Sequence, residues 1–191
     1  MRLAQTGVVA AVVLAALVAA AGCGSSSSAK TTTTSQDTAS ARTAWANSLC
    51  GALVTWRSDV KSVGTQLKSG QIRSKSALSN AAGQVESATK TLEDSLKGLG
   101  TPPTPAAQQA KSDIDHLTQQ LSNGVDDLKT AASNVSGVQG VRSAIASAKT
   151  TVATMGSDVS ATVTQLKSLD PQGAWKDAFS QASSCKTLSG S

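Results

Sequence analysis

The feature that most constrains this chain is a hydrophobic repeat. From Ala41 onward, apolar residues recur every three or four positions, the period of one face of an α-helix. Four such stripes follow one another, and in the second the residues Leu78, Val85, Leu92 and Leu99 are spaced by sevens. Each stripe spans about 28 to 33 residues, which corresponds to a helix of roughly 40 to 50 Å. Such helices bury their stripes by packing side by side.

The residues of these stripes form the predicted core. In the first stripe they are Trp45, Leu49, Leu53, Trp56, Val60, Val63 and Leu67. In the fourth stripe they are Val138, Val141, Ile145, Ala148, Val152, Met155, Val159, Val163, Leu166 and Leu169.

Short connections separate the stripes, near Gly70, Pro102 and Gly137. Thr104 and Asp170 each precede a proline, the pattern of an N-cap followed by the first helical residue. Short connections force successive helices to run antiparallel. We therefore predict an all-α domain, an antiparallel up-down-up-down four-helix bundle over residues 41–188 that includes a short C-terminal helix after Asp170.

The N-terminal segment is typical of a signal peptide. It has one basic residue, Arg2, and an uncharged run from Gly7 to Ala21 of about 15 residues, shorter than the roughly 20 that cross a bilayer. No basic cluster follows the run to stop its transfer. The sequence predicts a cleaved signal peptide at residues 1–22, with an uncleaved anchor as an alternative.

Residues Ala20-Ala21-Gly22-Cys23 resemble the lipobox of bacterial lipoproteins, although Ala20 is a tolerated rather than a preferred residue. The resemblance implies that Cys23 is diacylated and becomes the mature N-terminus. Two or more acyl chains give stable anchoring. We expect a lipid-anchored protein on the extracytoplasmic face of the cell membrane, whereas ordinary secretion with a spare cysteine is the alternative.

The rest of the chain is similar in style to helical lipoproteins of actinobacteria. It is low in Tyr and rich in Ala, Val, Ser and Thr, and it carries Trp45-x-x-x-Leu49-Cys50 and a late Cys185. This resemblance bears on location and fold and supplies no functional residues.

Between the lipobox and the first stripe lies a Ser/Thr-rich segment, Gly24 to Ser40, with one Lys and one Asp. It has no large apolar residue to contribute to a core. Together with Cys23 it is predicted to be a disordered tether over residues 23–40, with an r.m.s. span of roughly 20 to 25 Å.

Two further cysteines, Cys50 and Cys185, bracket the predicted domain. In an oxidising compartment they are expected to form a disulfide, which closes a loop of more than 100 residues. Two buried free thiols are the alternative. The aromatic residues expected to cover this junction are Trp45, Trp56, Trp175 and Phe179.

The charge balance is mildly basic, with 17 Lys and Arg against 12 Asp and Glu. Along the sequence these charges look scattered, and aromatic residues that could stack on bases are few. Nucleic acid is therefore not an expected partner. Weak attraction to anionic lipid or to a wall polymer is compatible with this balance.

The sequence offers no clear reactive constellation. The only histidine, His116, lies off the core face, and no second histidine completes a metal site. The acidic pairs Glu93-Asp94 and Asp126-Asp127 point about 100° apart on a helix. No serine elbow or phosphate-binding glycine loop is present. We predict no catalytic residue, no metal site and no cofactor.

These observations favour a non-enzymatic envelope protein that presents a helical bundle to a partner protein or to the cell wall. The alternative is a carrier or sensor that holds a small apolar or anionic ligand between helices. A cavity with convergent polar groups would favour the carrier. An enzyme whose site escapes sequence inspection is a third hypothesis.

Overall fold

The structure is a computed structural model that describes residues 30–170 and 173–190. The predicted signal peptide and the lipidated Cys23 lie outside these residues. The described residues form six helices and no strand, which confirms the all-α class. The helices are α1 (Lys30–Lys68), α2 (Lys75–Gly98), α3 (Ala107–Ser133), α4 (Gly137–Ser168), α5 (Ala174–Gln181) and α6 (Ser183–Gly190).

The four long helices pack in a cycle. Helix α1 packs against α2 and α4, α2 packs against α3, and α3 packs against α4. The two short helices, α5 and α6, pack mainly against α1. The up-down-up-down order of the long helices stays a prediction.

The predicted stripes supply most of the core, but the prediction is wrong for the first residues of the fourth stripe. Every residue of the first stripe is buried, whereas Val138 is 71% exposed and Ile145 is half-buried. The reason is a difference in length. Gly64 of α1 lies beside Val152 of α4, and beyond this contact α1 has four residues left while α4 extends for fifteen. The first turns of α4 therefore have little of α1 to pack against.

Helix α1 begins earlier than the predicted domain. It starts at Lys30, so residues 30–40 are helical although the sequence predicted a disordered tether there. The physical reason is that no glycine or proline occurs between Lys30 and Cys50 to end the helix. Arg42 also ties α1 to the α2–α3 connection, since its Nε donates to the carbonyl oxygen of Pro103 at 3.0 Å. Within the described residues, no helix is both long and apolar enough to cross a membrane.

The predicted helix starts are partly displaced. Helix α3 begins at Ala107, later than the Thr104 cap predicted for it, because residues 104–106 form a turn in which Thr104 Oγ1 accepts from the Ala106 N–H at 3.4 Å. Helix α5 likewise begins at Ala174 with Gly173 at its N-cap, later than the start predicted from Asp170, although Asp170 Oδ2 still accepts from the backbone N–H of Trp175 at 2.9 Å.

The C-terminal segment forms two short helices rather than the single one predicted. The break is at Ala182, whose backbone is extended. Beyond it, Asn47 Oδ1 on α1 accepts from the backbone N–H of Ser184 at 3.1 Å and from the hydroxyl of Ser183 at 3.1 Å. A side chain from α1 thus satisfies donors at the start of α6, as an N-cap does, and it allows a new helix to begin there.

Candidate functional site

A disulfide joins α1 to α6. Cys50 and Cys185 are both buried, their Cα atoms lie 4.9 Å apart and their Sγ atoms 2.02 Å apart. The pairing predicted from the sequence is therefore present. It closes a loop across a sequence separation of 135 residues, so that the end of the domain is covalently held to its first helix.

Three of the four predicted aromatic residues lie together beside this junction. The ring centroids of Trp45 and Trp175 are 5.3 Å apart, and those of Trp175 and Phe179 are 5.6 Å apart. Trp56 instead faces α2, where its Nε1 donates to Thr89 Oγ1 at 3.2 Å. All four rings are buried. The aromatic residues therefore serve the core, and they are not an exposed binding surface.

Helix α6 is held against α1 at both of its ends. Asn47 bonds to its first turn, and Arg57 Nη1 donates to the carbonyl oxygen of Leu188 near its last turn at 2.8 Å. The charge-assisted bond from Arg57 also complements the partial negative charge at the C-terminal end of the helix. This arrangement places Thr187 at a fixed position beside α1.

A groove runs between α1, α4 and α6, and it is a candidate binding site. Its volume is about 430 Å³, within the range of small-molecule sites. Its apolar part comes from valines and an indole, whereas two cations and two hydroxyls supply its polar part. The lining residues are Val54, Trp56, Arg57, Ser58, Val60, Lys61, Val152, Gly156 and Thr187.

Two glycines shape this groove. A Cβ added at Gly156 would meet no atom within 4 Å, so the missing side chain leaves open space along α4. At Gly64 the added Cβ would contact Val152 Cγ1 at 3.8 Å, which marks a close approach of α1 and α4. From the sequence we expected Ala/Val seams to favour close packing, with at most a small groove beside the C-terminal helix. Gly156 in the interior of the fourth stripe was the only hint of it in the sequence, and a small residue there is equally compatible with close packing.

Outside the groove, the titratable side chains of residues 37–170 and 173–189 are exposed or half-buried, and some of them form local pairs. His116 is exposed, and its neighbour Asp115 accepts from Lys111 Nζ at 2.8 Å. Glu93 is half-buried and accepts from the hydroxyl of Ser122 at 2.7 Å. In the described part of the chain, no three His, Cys, Asp or Glu side chains are grouped to hold a metal ion.

One ion pair links α2 to α3. Lys129 Nζ lies 2.6 Å from Glu86 Oε1. The hydrogen bond and the negative charge of Glu86 raise the pKa of Lys129 above its ordinary value, against a smaller opposing effect of desolvation. Lys129 therefore keeps its positive charge at neutral pH, and its contact with Glu86 connects the two helices on an exposed face.

Comparison of the chain with protein-family models, with curated proteins and with solved structures found no match. Interpretation of the site therefore rests on the geometry described above.

Proposed function

We propose that this chain is a non-enzymatic lipoprotein, anchored by the lipid on Cys23 to the extracytoplasmic face of the cell membrane. It presents a helical bundle to a partner in the cell envelope, either a protein or a cell-wall polymer. The observation that carries this proposal is the Cys50–Cys185 disulfide.

The disulfide supports export because such bonds persist in oxidising compartments and are rare in the cytosol. It agrees with the signal-peptide pattern of residues 1–22, which was derived from a different part of the chain. Export in turn supports lipidation, since the small-residue run ends at Cys23, where the lipobox requires a thiol.

Cross-helix contacts support the antiparallel arrangement proposed for the four long helices. Between α2 and α3, Glu86 contacts Lys129 and Glu93 contacts Ser122. A later residue of α2 thus contacts an earlier residue of α3, which means that the two helices run in opposite directions. Between α1 and α4, Gly64 lies beside Val152. Together with the short connections, these contacts favour the up-down-up-down bundle.

A structural rather than catalytic use of some surface charges is supported by their local pairing. Lys111 and Asp115 are spaced by four residues on an exposed face of α3, and Lys90 and Asp94 are spaced in the same way on an exposed face of α2. Such pairs stabilise helices modestly, by about 0.3 to 0.5 kcal/mol. Acid–base catalysis needs groups that converge in a pocket poor in water, which these pairs do not provide.

The anchor is tested by intact mass spectrometry of the full-length protein extracted from membranes, as wild type and Cys23→Ala, with and without reductant. We expect acyl mass on the wild type, release of Cys23→Ala from the membrane, and a gain of two hydrogens on reduction of the acylated protein. An unacylated wild type would exclude the lipoprotein assignment.

The groove favours a second candidate function, that of a carrier for a small anionic amphiphile. Its valines would contact an acyl chain, while Arg57 and Lys61 would face the anionic head. Gly156→Leu should fill the groove with a side chain. It should lower the affinity for a fluorescent fatty acid by about 10-fold or more, because the acyl chain would lose its contact with the groove.

The matched control is Gly83→Leu. Gly83 is also half-buried in a helix interior, and a Cβ added there meets no atom within 4 Å, but it lies on α2 outside the groove. Equal affinities of the two variants, or no binding by the wild type, would reject the carrier.

A further inference from the structure

The charges of this protein are segregated along its length. Residues 60–85 and 128–157, here called the basic end, contain seven Lys and Arg and no Asp or Glu, so all 12 acidic residues lie elsewhere. All seven cations are exposed. They are Lys61, Lys68, Arg73, Lys75, Lys129, Arg142 and Lys149.

The fold brings the two basic segments together. Lys75 Nζ at the start of α2 donates to the carbonyl oxygen of Ser133 at the end of α3, at a distance of 2.7 Å. Gly64 near the end of α1 lies beside Val152 of α4. Cations that look scattered in the sequence therefore occupy one end of the domain, where their potentials add.

Local roles account for part of this charge only. Lys129 is neutralised by Glu86, whereas Arg73 and Lys75 donate to carbonyl oxygens, which satisfies their donors without cancelling their charge. In the described residues no salt bridge involves the other four cations. Six positive charges thus remain uncompensated by a carboxylate contact.

We propose that the basic end is a binding surface for a linear polyanion of the cell envelope, a polymer with closely spaced phosphate groups. This inference rests on the proposed function, since the lipid on Cys23 supplies the orientation. It names the partner class that the envelope-protein proposal leaves open.

The point at which the lipidated segment joins the domain favours a polymer over the anchoring membrane as the partner of the basic end. The segment from Cys23 joins α1 at Lys30, whereas the basic end begins near the other end of this 39-residue helix. Such a helix is about 58 Å long. Attraction to headgroups is screened within about 8 Å at physiological salt. With the lipidated segment entering at Lys30, the basic end can extend away from the headgroups and reach polymer beyond the membrane.

The test measures binding of the full-length protein in detergent to long-chain inorganic polyphosphate over a range of salt concentrations. Six cations, each releasing counterions as on a single-stranded polyanion, predict a slope of log K against log salt of about −4. The triple variant Lys68→Gln, Arg142→Gln and Lys149→Gln removes three cations that form no hydrogen bond or salt bridge with the residues that the structure describes. Its slope should fall to about −2 and its affinity by roughly 10-fold or more at low salt.

The matched control is the triple variant Lys97→Gln, Lys176→Gln and Lys186→Gln, which removes the same charge from exposed positions outside the basic end. It should change the affinity less than about threefold, through net charge alone. Equal losses in both triple variants, or no polyphosphate binding by the wild type, would overturn the inference.

A vesicle arm distinguishes the membrane from the polymer. The protein could instead bind vesicles of anionic phosphatidylglycerol more tightly than polyphosphate, and the basic-end triple variant could lose this vesicle binding. That result would identify a lipid surface as the partner and would overturn the inference. The proposed anchor fails separately, by an unacylated Cys23 in the mass measurement, which leaves the polyphosphate result unaffected.

Discussion

Reduction of the Cys50–Cys185 disulfide should cost this domain a large part of its stability. The bond closes a loop across 135 residues of separation. The chain-entropy relation gives about 5 kcal/mol at 25 °C for a loop of this length. Domains of this size have a free energy of unfolding of about 5 to 15 kcal/mol, so the reduced protein should be marginal.

The structure locates this effect in the unfolded state. In the folded protein, Trp175 and Phe179 are buried and Arg57 bonds to Leu188, so α5 and α6 remain packed against α1 without the covalent bond. Reduction therefore removes few native contacts, while it frees the unfolded chain to expand. A more expanded unfolded state also predicts a larger m-value for the reduced protein.

The assay is urea unfolding of the Cys23→Ala chain, followed by tryptophan fluorescence, in the oxidised form, in the reduced form and in Cys50→Ala/Cys185→Ala. With an m-value of about 2 kcal/mol/M, the midpoint should fall by about 2 to 3 M on reduction. The double variant should behave like the reduced protein. Midpoints within about 0.5 M of one another would refute the loop-closure reasoning, because they correspond to only about 1 kcal/mol.

Three further substitutions test the packing of the long helices. Gly124→Ala should destabilise the domain by about 1 to 3 kcal/mol in urea unfolding, because the new Cβ would lie 2.8 Å from a methionine side chain of α4; a stabilised variant would contradict this packing. Thr89→Val should cost about 1 to 3 kcal/mol by leaving the Trp56 indole N–H unsatisfied, and a second change to Trp56→Phe should recover part of that loss. Glu86→Gln should return the pKa of Lys129 toward its ordinary value in an NMR titration of the lysine side chain. Since that pKa is raised in the folded protein, the contribution of Lys129 to the free energy of unfolding is present at neutral pH and is lost as the pH rises through the raised pKa. If the pKa of Lys129 in Glu86→Gln equals that in the wild type, Glu86 is not the cause of the shift.

Much of the fold follows from local pattern. The first stripe, from Trp45 to Leu67, is buried throughout because seven apolar residues on one helical face have no other way to leave water. The break between α5 and α6 was not predictable in this way. It depends on Asn47, which is remote in sequence and becomes a neighbour of Ser184 only when the helices pack.

The disulfide and the groove also differ in whether the sequence could locate them. Cys50 and Cys185 were identifiable because two cysteines are expected to pair in a domain that the N-terminal pattern predicts to be exported. The groove was not, since Gly156 creates open space only through its position opposite α1 and α6. Small residues in a helix are compatible either with close approach or with a gap, and only the placement of the neighbouring helix decides between them.

By itself the sequence determined the helical class and most of the core stripes, and it made the Cys50–Cys185 pairing the expected one, because each depends on spacing or on residue chemistry alone. The tertiary structure alone decided that cations from residues 60–85 and 128–157 meet at one end, that the start of α4 stays exposed, and that a groove remains beside Gly156. These properties depend on which residues of different helices lie at the same level, and helix register is set by packing between segments far apart in the chain.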